Sequence, residues 1–132
     1  MKFLIAYVAA AGAFLALDFL WLSYAGERIY RPALGELMMD KPNLVVAAVF
    51  YLFYAAGMVV FAIGTEGPRD LISVAALGAF LGLIAYGTYD ITNLSTLRGW
   101  PVHLTLIDMA WGAFATASAS LAGALAVRAW AS

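Results

Sequence analysis

Residues 71–94 read LISVAALGAFLGLIAYGTYDITNL, and this stretch decides the fold class. Its one charged side chain is Asp90, and it exceeds the ~20 residues that a helix needs to cross a hydrocarbon core about 30 Å thick. Apolar and polar residues do not alternate along it, which argues against a strand of a membrane barrel. Because backbone groups in lipid must find their hydrogen bonds internally, the stretch predicts a transmembrane helix.

The rest of the chain repeats this pattern. Residues are 65% hydrophobic and 11% charged, with a mean hydropathy of +0.91, whereas soluble domains carry about 25% charged residues. The sequence therefore predicts an all-α integral membrane four-helix bundle, forming a single transmembrane domain over residues 1–132. Four crossings put both termini on the same side. The helices are expected at about 3–24, 44–64, 71–94 and 102–130.

The first apolar run also resembles a secretory signal, but it is longer than the ~7–15 residues of a signal core, so we expect it to be retained. The connection after it is the longest and holds most of the charge. Within it, Pro32 suits the first turn of a helix, and Leu34, Leu37 and Met38 share one face. We predict a short interfacial helix over Pro32 to Met39, and an irregular loop is the alternative. Basic groups divide equally between the two sides, so the positive-inside rule assigns no orientation.

Small residues predict how the helices pack. Gly78 and Gly82 form a GxxxG pattern, and Gly112, Thr116 and Ser120 follow one another at steps of four. Helices in lipid associate through close backbone approach at such residues. These stripes are expected to face the interior of the bundle.

Three aspartates lie inside the predicted helices: Asp18, Asp90 and Asp108. An aspartate at the centre of a membrane helix costs ~2.5–3.5 kcal/mol, so each requires an explanation. Counting along the helices places all three roughly 5–9 Å below the same membrane surface. This common depth predicts a polar pocket in one leaflet. Carboxyls that only join neighbouring helices are the alternative.

Further polar and aromatic side chains lie at the same depth or in the adjoining loops. The candidate catalytic residues are the three aspartates and His103, the single histidine of the chain. The candidate substrate-binding residues are Trp21, Arg28, Arg31, Tyr51, Tyr54, Tyr89, Asn93, Arg98 and Trp111.

Two segments share the pattern apolar-Asp-x-x-Trp, at Leu17 to Trp21 and Ile107 to Trp111. Residues three apart share a helix face, so an indole is expected beside each carboxylate, with its N–H available to that carboxylate. The copies run in opposite directions through the membrane, as inverted repeats do. Coincidence is the alternative.

Several kinds of site find no support. The absence of cysteine excludes disulfides and thiolate metal sites, and a formal net charge of −1 gives no basic field for nucleic acid. No metal is assigned, although the carboxylates with Asn93 and His103 offer ligands for a hard or borderline cation. Nucleotide-binding motifs are absent, and the identity of any cofactor is unknown from the sequence.

The segments Leu17 to Trp21, Tyr86 to Asn93 and Asp108 to Gly112, together with His103, resemble a domain-of-unknown-function family of small bacterial membrane proteins. The resemblance covers nearly the whole chain. It implies four helices, a multi-pass location in the bacterial inner (cytoplasmic) membrane and the company of lipid-modifying enzymes. It implies no reaction.

The favoured hypothesis is a pocket that binds or modifies a membrane-resident lipid or other amphiphile, with Arg28, Arg31 and Arg98 holding a lipid phosphate at its rim. A carboxylate in apolar surroundings can exchange protons near neutral pH. One alternative is a proton-coupled small carrier that works as a homodimer. Another is a structural or assembly subunit of a larger membrane complex. Whether the chain is an enzyme stays open.

Overall fold

The computed structural model describes residues 1–130, and the regular structure of this part is helical. A π-helical turn, Gly26–Tyr30, joins the first two helices, and the 3₁₀ turn Gly35–Leu37 comes after the second. A second π-helical turn, Val59–Ile63, ends the third helix. The helices are α1 (Lys2–Ala25), α2 (Arg31–Leu34), α3 (Leu44–Met58), α4 (Leu71–Thr96) and α5 (Val102–Trp130).

Four helical runs are long and apolar enough to cross a membrane: Lys2–Leu37, Leu44–Ile63, Leu71–Thr96 and Val102–Trp130. Their outer surfaces carry many large apolar side chains; Phe19 and Ile72, for example, are 72% and 83% exposed. Such a surface suits lipid and would be costly in water. The predicted all-α membrane four-helix bundle is confirmed.

The first connection differs from the prediction in one respect. The short helix expected over Pro32 to Met39 is present as α2 and the 3₁₀ turn, but it continues directly from α1 through the π-helical turn. Met38 and Met39 lie beyond it. Charged residues in this segment suggested an exit from the helix after Tyr24, whereas the backbone stays helical to Leu37.

Side-chain caps begin two of the membrane helices. Asn43 accepts a hydrogen bond from the backbone N–H of Val46 (3.1 Å) at the start of α3. Asp70 accepts one from the N–H of Ser73 (3.0 Å) and one from its hydroxyl (2.7 Å) at the start of α4. These bonds to the ionised carboxylate, the hydroxyl bond first, lower the pKa of Asp70 from its ordinary value.

Helices α4 and α5 approach closely because glycine lies between them. A β-carbon on Gly82 would lie 2.1 Å from the carbonyl oxygen of Gly112, and one on Gly78 would lie 2.9 Å from the Cα of Ala117. Thr116 and Ser120 are buried at the same contact. The small residues therefore face the interior of the bundle, as the sequence predicts.

Helix α3 leans away from α4 toward one end of the bundle. Its body packs on α1, where Phe14 makes edge contacts with the rings of Tyr51 (5.5 Å) and Tyr54 (5.3 Å). Helix α4 packs on the Val59–Ile63 turn instead of on the body of α3. The bundle is therefore closed near the α3–α4 connection. It has a gap between α3 and α4 at the other end.

Candidate functional site

The three intramembrane aspartates come together at the end of the bundle where α1 and α4 finish and α3 and α5 begin. Asp18 is 6% exposed, Asp90 0% and Asp108 8%. Asp108 on α5 is close enough to interact electrostatically with both Asp18 on α1 and Asp90 on α4. We call these three side chains the aspartate cluster.

Asp18 accepts two hydrogen bonds from other helices. The hydroxyl of Tyr51 on α3 donates to its Oδ2. The indole N–H of Trp111 on α5 donates to its Oδ1 at 3.4 Å, a long bond. Asp18 therefore ties three helices together, which is one way that a polar side chain stabilises a bundle in lipid.

Asp108 accepts a hydrogen bond from Tyr30, a residue in the π-helical turn. The Tyr30 hydroxyl in turn accepts from the indole N–H of Trp21 at 2.9 Å. At about 3.6 residues per turn, residues nine apart point to nearly opposite sides of a straight α-helix. A π-helical turn acts like one inserted residue and rotates the helix on its C-terminal side. The turn thereby brings Tyr30 onto the face that holds Asp18 and Trp21.

The two Asp-x-x-Trp segments exchange partners across the bundle. Trp111 bonds Asp18 of the other segment, and Trp21 reaches Asp108 through Tyr30. Side chains lean toward the N-terminus of their helix, so on antiparallel α1 and α5 the two indoles lean toward each other. They stack with centroids 4.8 Å apart and planes 9° apart. The expectation that each indole serves the carboxylate of its own segment is wrong.

Asp90 is the least satisfied member of the cluster. Its carboxyl is fully buried, yet neither oxygen has a hydrogen-bond partner in the described part of the chain. It lies beside Asp108 of α5. Buried polar atoms normally find a partner, so an unpartnered carboxyl here indicates a place where a proton, water or ligand group completes the site.

A cavity of about 600 Å³ lies against the cluster. It fills the gap between α3 and α4, and Asp108 on α5 forms part of its inner wall. Val46 and Phe50, on the outer side, are 65% and 59% exposed. The lining residues are Phe14, Val46, Phe50, Tyr51, Tyr54, Ala85, Tyr86, Tyr89 and Asp108. The volume is typical of small-molecule sites, and the opening faces the surface that lipid covers.

Two of the predicted binding tyrosines have additional partners. The Tyr54 hydroxyl hydrogen bonds with Thr116 at 2.8 Å, which fixes its ring in the cavity wall. Tyr89 is 55% exposed and packs edge-on against Trp100, with centroids 5.7 Å apart.

The predicted arginines lie away from the cavity. Arg28 donates to the backbone oxygen of Tyr24 (3.0 Å) and covers its ring, and Arg31 pairs with Glu27 (3.0 Å) and Asp40 (3.5 Å). Arg98 is exposed in the last connection. None of the three arginines lines the cavity, and their binding of a lipid phosphate stays a prediction.

His103 and Asn93 do not join the cluster either. His103 is exposed on the first turn of α5, and neither side chain makes a hydrogen bond or ion pair within residues 1–130. Nor does that part of the chain contain a group of three or more His, Cys, Asp or Glu side chains placed to hold a metal ion. The cation-binding alternative gains no support from this arrangement.

Sequence reasoning missed Tyr30 and Tyr86. Tyr86 precedes Asp90 by four residues on α4, so it shares the face of that aspartate, and this spacing could have identified it. Its ring also lies where a side chain on Gly112 would be, 2.2 Å from a β-carbon built there. Tyr30 had no comparable signal, since its position depends on the π-helical turn.

A family model described as "Predicted membrane protein (DUF2177)" matches residues 3–125. The chain belongs to this family. The family is defined by its membrane character and brings no reaction or substrate, so membership agrees with the four membrane helices and leaves the function to the site. No curated protein and no solved structure matches the chain.

Proposed function

We propose that this multi-pass membrane protein binds, and offers acid–base groups to, an amphiphile that enters from the lipid bilayer between α3 and α4. One observation carries the proposal: the cavity opens beside lipid-exposed Val46 and Phe50, and the buried Asp108 forms part of its wall. An apolar chain would occupy the aromatic walls while a polar group reaches the aspartate cluster. This division matches an amphiphile better than a water-soluble substrate.

The cluster supplies groups for proton transfer. Asp90 and Asp108 are buried close to each other on α4 and α5, and carboxyl groups are suited to general acid–base chemistry. In this proposal Asp90 and Asp108 exchange protons with the polar group of the ligand. Asp18, held by Tyr51 and Trp111, positions the cluster. The helical spans and the resemblance to a bacterial membrane family support a bacterial cytoplasmic membrane as its location.

The far half of the bundle favours binding from one leaflet. Between the cluster and the opposite end the interior is filled by small and apolar side chains, among them Ala10, Met58 and Ala119, all 0% exposed. The cavity that borders the cluster is lined by residues of the aspartate half and of the middle of the bundle. The amphiphile would therefore enter and leave on the aspartate side.

Filling the cavity tests the proposal. Ala85→Trp would place an indole in the cavity, and Ala76→Trp is its control on the exposed, non-lining side of α4. We expect native mass spectrometry of gently purified protein to find an amphiphile on the wild type and Ala76→Trp but not on Ala85→Trp. Lipid profiles of cells with and without the protein then identify the molecule. The same bound species in all three proteins would contradict a ligand in this cavity.

A proton-coupled carrier is the second candidate, and the contact between Asp90 and Asp108 favours it, because paired membrane carboxyls serve as proton relays in transporters. Such a carrier requires a second conformation in which the half of the bundle away from the aspartate cluster opens. In a homodimer, the second copy would provide part of the wall of the transport path. Flux into proteoliposomes that does not change in Asp90→Asn and Asp108→Asn would rule it out.

A further inference from the structure

The wall of the cavity has an unusual composition for a lipid-chain site. Of its nine lining residues, six are aromatic: Phe14, Phe50, Tyr51, Tyr54, Tyr86 and Tyr89. Two of the rings are fixed by hydroxyl bonds, since Tyr51 donates to Asp18 and Tyr54 bonds Thr116. A chain of methylene groups needs apolar surface but no rings. A wall of aromatic faces indicates a different kind of group.

The charge around the cavity has one sign. Asp108 is part of the wall, Asp90 and Asp18 lie behind it, and no Lys or Arg lines the cavity. Arg28 and Arg31 are engaged elsewhere. An anionic headgroup such as a phosphate or carboxylate would meet carboxyls with no cation to offset them. The site can favour a hydrogen-bond donor or a positive charge.

Aromatic faces and a carboxylate together recognise an ammonium group. The negative face of a ring attracts a cation within about 6 Å, and cages of such rings bind ammonium ligands. The carboxylate of Asp108 in the wall supplies the counter-charge and an acceptor for N–H donors. We propose that the ligand of this cavity is a single-chain amine, with its ammonium group at Asp108 and its chain between α3 and α4.

This inference rests on the proposed function and names the chemistry of its ligand. The ammonium group pairs with the ionised carboxyl of Asp108, and its positive charge offsets the negative charge at the cavity wall. Fixed aromatic walls then exclude water from this pair. Lipids whose headgroups carry only negative charge are disfavoured, because no cation offsets the carboxyls around the cavity.

Three ligands with the same eight-carbon chain test the inference: octylammonium, 1-octanol and octanoate. The full chain is placed in nanodiscs of neutral lipid, and binding is measured by isothermal titration calorimetry with empty nanodiscs as the blank. We expect octylammonium to bind at least about tenfold more tightly than octanol, and octanoate to bind most weakly.

Variants locate the preference. Asp108→Asn should remove the preference for octylammonium, because it weakens octylammonium binding at least about tenfold and changes octanol binding little. Asp70→Asn, at an exposed helix cap, should keep the preference. If Asp108→Asn does not fold, Phe50→Leu removes one exposed ring of the wall and should weaken octylammonium alone. Phe53→Leu, exposed on the same helix outside the cavity, is its control.

The outcomes separate the two proposals. Octanol that binds as tightly as octylammonium, or a preference that survives both Asp108→Asn and Phe50→Leu, overturns the ammonium inference and leaves an amphiphile site in place. Failure of all three ligands to bind overturns the proposed function itself.

Discussion

The three buried aspartates differ in the hydrogen bonds that they accept. Asp18 accepts from two side chains and Asp108 from one, whereas Asp90 has none among the residues that the structure describes. A carboxyl with its partners in place stabilises the bundle. One without them is available to a ligand or a proton. Asp18 thus has a structural role, whereas Asp90 is available for proton exchange or binding.

Tyr30 links two parts of the cluster, so its hydroxyl can be tested alone. Tyr30→Phe leaves the Trp21 N–H and one oxygen of Asp108 without their partner. We expect the free energy of unfolding to fall by about 1–3 kcal/mol, the usual cost of an unsatisfied buried group. Equilibrium unfolding in mixed detergent micelles measures it.

Tyr24→Phe is the matched control for that change. Tyr24 is exposed, and its hydroxyl makes no hydrogen bond within the described residues. The unfolding free energy should stay within about 0.5 kcal/mol of the wild type. Equal losses in the two variants would mean that the hydroxyl of Tyr30 contributes nothing specific.

At the scale of the helices, the packing of α4 on α5 depends on the absence of side chains. The Gly82 backbone meets the carbonyl of Gly112, and the Gly112 backbone meets the ring of Tyr86. Tyr86 lines the cavity, so this close packing also sets the position of one aromatic wall. Helix packing and ligand binding therefore share the same contact.

Gly82→Ala should separate α4 from α5. Its β-carbon would lie 2.1 Å from a backbone oxygen that cannot rotate away, so we expect the protein to lose about 1–3 kcal/mol of stability. Gly57→Ala is the control, because a β-carbon there meets nothing within 4 Å. It should be neutral or stabilising by about 0.5–1 kcal/mol. Thermal unfolding in detergent compares the two, and equal melting temperatures would contradict the tight contact.

The cap of α4 predicts a dependence on pH. The pKa of Asp70 is lowered in the folded protein, so its carboxylate stabilises the fold above its unfolded pKa of about 3.8, and this contribution is lost as the pH falls through the lower folded value. Asp70→Ala should lower the melting temperature at pH 7 and have less effect near about pH 2. Glu66→Ala, also exposed in that connection and without a hydrogen bond, should have little effect at either pH.

The membrane spans could be predicted from composition, whereas the rotation of each helix could not. The helices are apolar on all sides, so no amphipathic stripe marks the inner face, and depth alone placed the aspartates in one leaflet. Depth in the membrane correctly predicted that Asp18, Asp90 and Asp108 come together. It did not correctly predict His103, which lies near them along α5 but on an exposed face.

The Gly26–Tyr30 turn shows a second limit. Tyr30 in this turn bonds Asp108, a residue 78 positions away, and local sequence patterns do not predict a contact of that range. The charges of Glu27 and Arg28 instead favoured a loop.

The whole molecule has two unlike ends. One end holds the aspartate cluster and the gap between α3 and α4. The other is closed by the Val59–Ile63 turn and the connection to α4. Because the spans alternate in direction, the first and third connections lie on the aspartate side.

Cysteine labelling can test this arrangement, since the natural sequence contains no cysteine. Glu36→Cys and Arg98→Cys should react with a membrane-impermeant maleimide from one side of sealed vesicles, and Glu66→Cys from the other. Vesicles of opposite orientation provide the control. Labelling of positions 36 and 66 from the same side would show that the first helical run is not followed by a full crossing.

The stacked indoles of Trp21 and Trp111 have an optical consequence. Two chromophores with centroids 4.8 Å apart couple their electronic transitions, and the coupling disappears when the rings separate. One ring belongs to α1 and the other to α5, and both contribute N–H groups to the network around the cluster. The ultraviolet circular dichroism of this pair is thus a label-free signal of whether the two helices are docked, built into the protein at the position where a ligand would disturb it.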